Sequence, residues 1–287
     1  MTQTNTSFAL TRPIHVSDAH LIVTDLDLSA RFYREVIGLA ELERHSSGIV
    51  MGVGNTPLLT LSTRGDAKAA PRNASGLFHN AFLVPSRAAL AHWLANAVEH
   101  KVALQGASDH LVSEAIYLAD PEGNGIEVYR DRQPEEWNFH EDGTVAMATE
   151  RLDLQRLFNE APQTPWAGME PGTGLGHIHL QVGALPDADA FYRDVLGLKI
   201  MARYPGASFF GAGTYHHHVA ANIWNSRGAG MRSGDMTGLS TYTLAFNDVS
   251  ARDAALSAIE RLEIPVTRDA AGYVLTDPSG IGLRLAA

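Results

Sequence analysis

Short runs of alternating apolar and polar residues recur along this chain, each leading into a stretch with a helical period. The run His20-Leu21-Ile22-Val23 precedes Phe32-Tyr33-Arg34-Glu35-Val36-Ile37-Gly38-Leu39. In the same way His179-Leu180-Gln181-Val182 precedes Phe191-Tyr192-Arg193-Asp194-Val195-Leu196-Gly197-Leu198. The acidic, Ala-bearing segment between run and block suits the first turns of a helix, and Gly38 and Gly197 stand where a C-terminal cap belongs. A unit of the same plan lies between the two copies: a strand from Gly76 to Val84, a helix over 87–100 capped by Ser86, and strands over 104–109, 114–118 and 126–130 around the turn Asp120-Pro-Glu-Gly-Asn-Gly. A fourth opens at Gly238, continues through a helix over 249–262 and closes on Asp277-Pro-Ser-Gly. The chain thus reads as an α+β protein of four βαβββ modules, at 15–65, 76–131, 174–226 and 238–287. Residues 132–173 form a linker with one helix over 148–159.

Composition narrows the function. The chain has 287 residues, of which 45% are hydrophobic and 19% charged, so it can build a real core. Twenty-two basic against 32 acidic residues give a net charge of −10, which disfavours nucleic acid or an anionic membrane as partner. Cysteine is absent, which excludes a thiolate nucleophile, an iron–sulfur cluster and Cys-ligated zinc. The polar first dozen residues carry no apolar leader, and no long apolar run occurs, so a cytoplasmic protein is expected. Apolar sheet edges predict a homo-oligomer. Thirteen histidines then become the point of interest.

Four such modules with paired Phe-Tyr-Arg blocks resemble the vicinal oxygen chelate superfamily, which includes glyoxalase I, bleomycin-resistance proteins and extradiol dioxygenases. The resemblance covers nearly the whole chain and implies two cup-shaped curved sheets, one of them holding a metal. Its sharpest part is His110, Ile116, Tyr117, Asp120, Pro121, Gly123 and Glu127, which are spaced as in the extradiol signature; Ser108 departs from the residues usual there. The chain looks most like the bacterial catechol 2,3-dioxygenases of that superfamily.

By that resemblance the metal histidine stands five residues before the last apolar residue of a module's first strand. This selects His79 and His177, whereas modules one and four carry Asp18 and Thr241. Glu127 follows the Asp-Pro turn of module two; Arg284 takes its place in module four. Two imidazoles and one carboxylate suit iron(II), with manganese(II) as substitute, and leave positions open for a diol and dioxygen. The ligands come from modules two and three, so those two are expected to share one cup and modules one and four the other. His20 is the rival ligand for a pairing of modules one and two.

The run His216-His217-His218-Val219-Ala220 resembles the strand bearing the extradiol acid/base histidine, and alternation gives that role to His217. Tyr117 is expected to donate a hydrogen bond to substrate, and His110 to support it or touch substrate. His45, His92, His100 and His140 read as surface groups; His15, His20 and His179 as buried or cup-lining. Trp137 and Phe139 read as pocket walls or as plain packing. The implied activity is oxygen-dependent opening of a small catechol-type diol to a semialdehyde acid. A glyoxalase-like isomerase or lyase, which favours a second carboxylate, and a metal-free antibiotic-binding protein of the same fold stay open.

Overall fold

The computed structural model describes residues 7–286; the first six residues of the polar amino-terminal stretch lie outside them. Each module lays down its strands as the alternation predicts. Module one comprises β1 (Ile14–Val23), α1 (Leu26–Phe32), β2 (Ala40–His45), β3 (Gly48–Val53) and β4 (Thr56–Thr63). Module two follows with β5 (Gly76–Leu83), α2 (Arg87–Glu99), β6 (Gly106–Asp109), β7 (Ser113–Ala119) and β8 (Gly125–Asp131). The connection contains β9 (Glu150–Arg151) and α3 (Leu154–Phe158). Module three comprises β10 (Gly174–Gln181), α4 (Leu185–Asp189), β11 (Lys199–Tyr204), β12 (Ala207–Gly211) and β13 (Val219–Asn222). Module four closes the chain with β14 (Gly238–Phe246), α5 (Val249–Arg261), β15 (Val266–Asp269), β16 (Gly272–Thr276) and β17 (Gly282–Ala286).

The strands form two curled sheets of a mixed α+β fold. One runs β15-β16-β17-β14-β1-β4-β3-β2 and the other β11-β12-β13-β10-β5-β8-β7-β6-β9. Modules four and one therefore share the first sheet, and modules three and two the second. The joints are antiparallel and alike: His20 lies opposite Thr241 across β1 and β14, and His179 opposite His79 across β10 and β5. Among the described residues no helix is long and apolar enough to cross a membrane.

Period-two alternation separates the faces of the second sheet. Phe82, Val84, Ile116, Leu118, Ile126 and Val128 enter the main core with Leu90 and Trp93 of α2. Ala81, Leu83, Ala115 and Tyr129 belong to a separate cluster on the opposite face. His79, Tyr117 and Glu127 share the parity of that second set, so the strand pattern itself turns them away from the helices.

The linker departs from expectation. In place of a helix over 148–159, Glu150–Arg151 pair with β6 as an added edge strand, and helix begins only at Leu154, capped by Asp153. The Phe-Tyr-Arg blocks also depart from plain α-helix: Tyr33–Ile37 and Ala190–Val195 are π-helical turns continuing α1 and α4. The first ends at Gly38, whose φ of 95° lies where a side chain would be strained and where a Cβ would meet Trp166.

The repeated tyrosine has a tertiary purpose. Tyr33 donates to Asp120 at 3.1 Å and Tyr192 to Asp277 at 2.8 Å. Each aspartate also accepts the backbone N–H groups of its own Asp-Pro turn: Glu122 and Asn124 in one case, Ser279 and Ile281 in the other. Module one is thereby tied to the turn before Glu127, and module three to the matching turn of module four.

Candidate metal centre

His79 on β5, Glu127 on β8 and His177 on β10 converge in the second sheet. Glu127 Oε2 lies 2.9 Å from His79 Nε2 and 3.3 Å from His177 Nε2, and the two imidazole nitrogens are 3.3 Å apart. All three side chains are buried, and theirs is the cluster of metal-ligating type found among the described residues. The registers explain the convergence: β5 pairs in parallel with β8, placing Ala81 beside Glu127, so His79 two residues earlier shares its face. Antiparallel β10 brings His177 across the joint.

Electrostatics fit a cation. Burial alone would raise the Glu127 carboxyl, but His177 and His79 outweigh it and hold the acid well below the usual carboxylate range. Burial lowers His177 to about 4 against the pull of Glu127. A carboxylate and a bare imidazole nitrogen pointed at one another in a dry site repel until a positive ion is shared between them. Donor separations of 2.9–3.3 Å are those of neighbouring ligands around an ion held at about 2.1 Å at right angles. The residues present therefore fit a divalent metal. Among the described residues His177 Nδ1 has no hydrogen-bond partner; its ring is held between Tyr129 and His217, with centroids 4.9 and 4.2 Å away.

The trio opens onto a cavity of about 910 Å³, also lined by Tyr117, His110, His179 and His217. His217 does not reach it by strand alternation. Residues 216–218 form an irregular segment ahead of β13, so the expected strand is corrected to a loop. His217 nonetheless faces the cavity. Burial, then His177 and His216, hold it well below the ordinary histidine range, so it is neutral. His218 turns away, between the Ala212 N–H and the Ala9 carbonyl.

Tyr117 and His110 form a pair at 2.6 Å, while His110 Nδ1 lies 2.7 Å from the Ala148 carbonyl. The carbonyl only accepts, so Nδ1 carries the proton, and in the neutral ring Nε2 accepts from Tyr117. In that tautomer the Tyr117 oxygen presents lone pairs toward the cavity.

The other histidines sort by register. His20 lies in the first sheet, 2.6 Å from Ser62, and is no neighbour of the trio. There, Thr241 stands at the place of His79 and Arg284 pairs beside Thr243 as Glu127 does beside Ala81. Arg284 bonds Asp269, and Asp18 accepts from Thr243, so the equivalent set holds no metal site. The same register count puts Ala220 of module three where Glu127 stands in module two, and Thr60 in module one. Modules one and three therefore supply no second carboxylate at that place. His45 and His140 are exposed, whereas His92 is half-buried against the Thr164 carbonyl. Trp137 packs on Phe8, Tyr215 and His216 outside the cavity, and Phe139 is exposed.

His179 was legible only as cup-lining. It lies two residues beyond His177 on the same face, its ring 4.8 Å from His79, and accepts from Asn222 at 3.0 Å. Burial keeps it neutral. Behind His217, Asp131 and Tyr215 carry no local signal beyond the period-two relation of Asp131 to Glu127, and the histidine run assigns His216 no role.

Comparison with known proteins agrees with this architecture. The glyoxalase/bleomycin resistance protein/dioxygenase superfamily pattern matches residues 12–128 and 174–285. A protein named catechol-2,3-dioxygenase from Bacillus subtilis (strain 168) is 36% identical over 268 residues, 92% of this chain and 94% of its own length. Among solved structures, glyoxalase I from Zea mays superposes with a TM-score of 0.59 at 15% identity, covering 97% of this chain and 94% of that one. The cppA protein from Streptococcus pneumoniae TIGR4 superposes with a TM-score of 0.56 at 11% identity, covering 95% and 98%. At those identities the two structures speak to fold alone. With the matched pattern spanning most of all four modules, this chain belongs to the glyoxalase/bleomycin resistance protein/dioxygenase superfamily.

Proposed function

We propose that the protein is an extradiol dioxygenase that opens a catechol-type ring with dioxygen to give a semialdehyde acid. The observation carrying the reading is the buried pair of imidazoles with one carboxylate, set in a cavity beside a neutral histidine. The 36% identity to the Bacillus subtilis catechol-2,3-dioxygenase supports it. His79, His177 and Glu127 would hold iron(II), with manganese(II) accepted by the same donors; the metal would supply chelation of the diol and a place for dioxygen.

The chain's own residues do the rest. His217, neutral and facing the cavity, takes the proton of the diol hydroxyl and returns it when the ring opens; a neutral imidazole suits both steps. Tyr117, backed by His110, offers its oxygen to a substrate hydroxyl. Phe78, Phe209 and Trp224 line the cavity with ring faces that take a flat aromatic substrate and displace water. The single carboxylate disfavours the glyoxalase-like chemistry, because no second acid occupies the matching place.

The test is isotopic. Iron-loaded protein given catechol under oxygen-18 gas should place a heavy atom in the carboxylate of the ring-opened product, the aldehyde oxygen being free to exchange with water. A carboxylate without label from the gas would contradict the reading.

A further inference from the structure

Behind His217 runs a chain of buried polar groups that the reaction above does not use. His217 Nδ1 lies 2.8 Å from His216 Nδ1, and His216 Nε2 lies 2.8 Å from Asp131 Oδ1. The Tyr215 hydroxyl donates to Asp131 Oδ2 at 3.1 Å and is 2.9 Å from the Tyr129 hydroxyl. His216 is fully buried under Trp137 and Tyr215, with ring centroids 5.2 and 4.1 Å away, so it has no freedom to turn over. Asp131 ends β8, four residues beyond Glu127 and on the same face. One strand thus supplies both a candidate ligand and the anchor of this chain.

We propose that Asp131 and His216 are positioning residues that lock His217 in the tautomer with its proton on Nδ1, so that a bare Nε2 faces the cavity. The polarity follows from donor and acceptor counting. An ionised carboxylate only accepts, so His216 Nε2 carries a proton. A neutral imidazole has one such proton, so His216 Nδ1 is an acceptor, and the nitrogen 2.8 Å from it on His217 must donate. His217 Nε2 has no hydrogen-bond partner among the described residues and is left with its lone pair. The opposite polarity of the last link would put the His217 proton on Nε2, which is the outcome that the NMR experiment below would show as a contradiction. Without the chain, His217 would divide between two tautomers, and only one of them can accept a proton from a ligand in the cavity. When Nε2 does accept it, the ligand O–H bond breaks and the Nε2–H bond forms. The Nδ1–H stays on its bond to His216, and Asp131 remains ionised and balances the imidazolium through His216.

The use of this lone pair in turnover rests on the dioxygenase reading; the tautomer does not, and the experiment separates them. Long-range proton–nitrogen NMR on histidine-labelled, metal-free protein reads the tautomer directly, with His217→Phe identifying the resonance. The wild type should show His217 protonated on Nδ1. His216→Gln should keep it, because a carboxamide can donate to Asp131 and accept from His217 with the same polarity. His216→Leu and Asp131→Ala should give a mixed tautomer. In iron-loaded protein the last two should lower kcat by about 10²–10⁴-fold with KM and metal content unchanged, while His216→Gln stays within a few-fold. Proton on Nε2 in the wild type, or a pure Nδ1–H form persisting in Asp131→Ala and His216→Leu, would overturn the proposal. The predicted tautomers without oxygen uptake in any variant would instead remove the dioxygenase reading and leave the positioning role standing.

Discussion

Glu127 carries the site at the scale of single residues. Its carboxylate lies within 3.3 Å of both imidazoles in a position without solvent, so removing its charge removes the reason for a cation to enter. Glu127→Gln keeps the shape and should bind less than a tenth of the iron bound by the wild type, with unchanged far-ultraviolet circular dichroism; metal analysis checks this, and normal iron content would contradict the ligand assignment. His79, His177 and Glu127 could be singled out in the sequence because strand alternation and the count from the Asp-Pro turn are both local. The cluster behind His217 was not legible: Tyr215 and His216 meet Asp131 across 84 and 85 residues of chain, through a loop with no periodic signal. Tyr117 shows the same limit, since its hydrogen-bond direction depends on the Ala148 carbonyl 38 residues from His110.

Whole elements are joined by the two tyrosine–aspartate contacts. The Phe-Tyr-Arg repeat was visible as a repeat, but its cause was not: Tyr33 and Asp120 are 87 residues apart, and a π-helical turn sets the tyrosine toward its partner. Asp120 keeps two backbone N–H donors and the Asn124 side chain when Tyr33 is changed to Phe. The expected cost is therefore that of one buried hydrogen bond to a charged group, about 1.5–3 kcal/mol, measured by urea unfolding. The exposed pair of Arg34 with Glu35, next in sequence, should contribute under about 1 kcal/mol. Equal effects at Tyr33 and Arg34 would show that the contact does not staple the modules. The linker misled because Glu150 and Arg151 pair with a sheet edge that no local pattern announces.

At the scale of the molecule, the strand order decides which histidines meet. Joining module two to module three brings His79 and His177 together, while the joint of modules four and one offers Asp18, Thr241 and Arg284 instead. The fold also buries several neutral histidines, with a consequence for acid stability. His218 is held at about 3 by burial, both its nitrogens satisfied in the neutral form. In the unfolded chain it titrates near 6.5. Between those values the unfolded state binds more protons, so stability falls as pH drops below about 6.5, by up to ~1.4 kcal/mol per pH unit for such a group. Urea midpoints measured on metal-free protein from pH 7.5 to 5 should decline, and His218→Gln, if folded, should flatten the slope. A midpoint independent of pH would contradict the burial of neutral imidazoles.

The most direct test of the functional account is oxygen uptake by anaerobically iron-loaded protein on addition of catechol, followed at the same time for a yellow ring-opened product. The account predicts uptake of one dioxygen per ring opened, dependent on iron and lost with Glu127→Gln. Bound iron without oxygen uptake, for catechol and for its simple alkyl and aryl relatives alike, would contradict it.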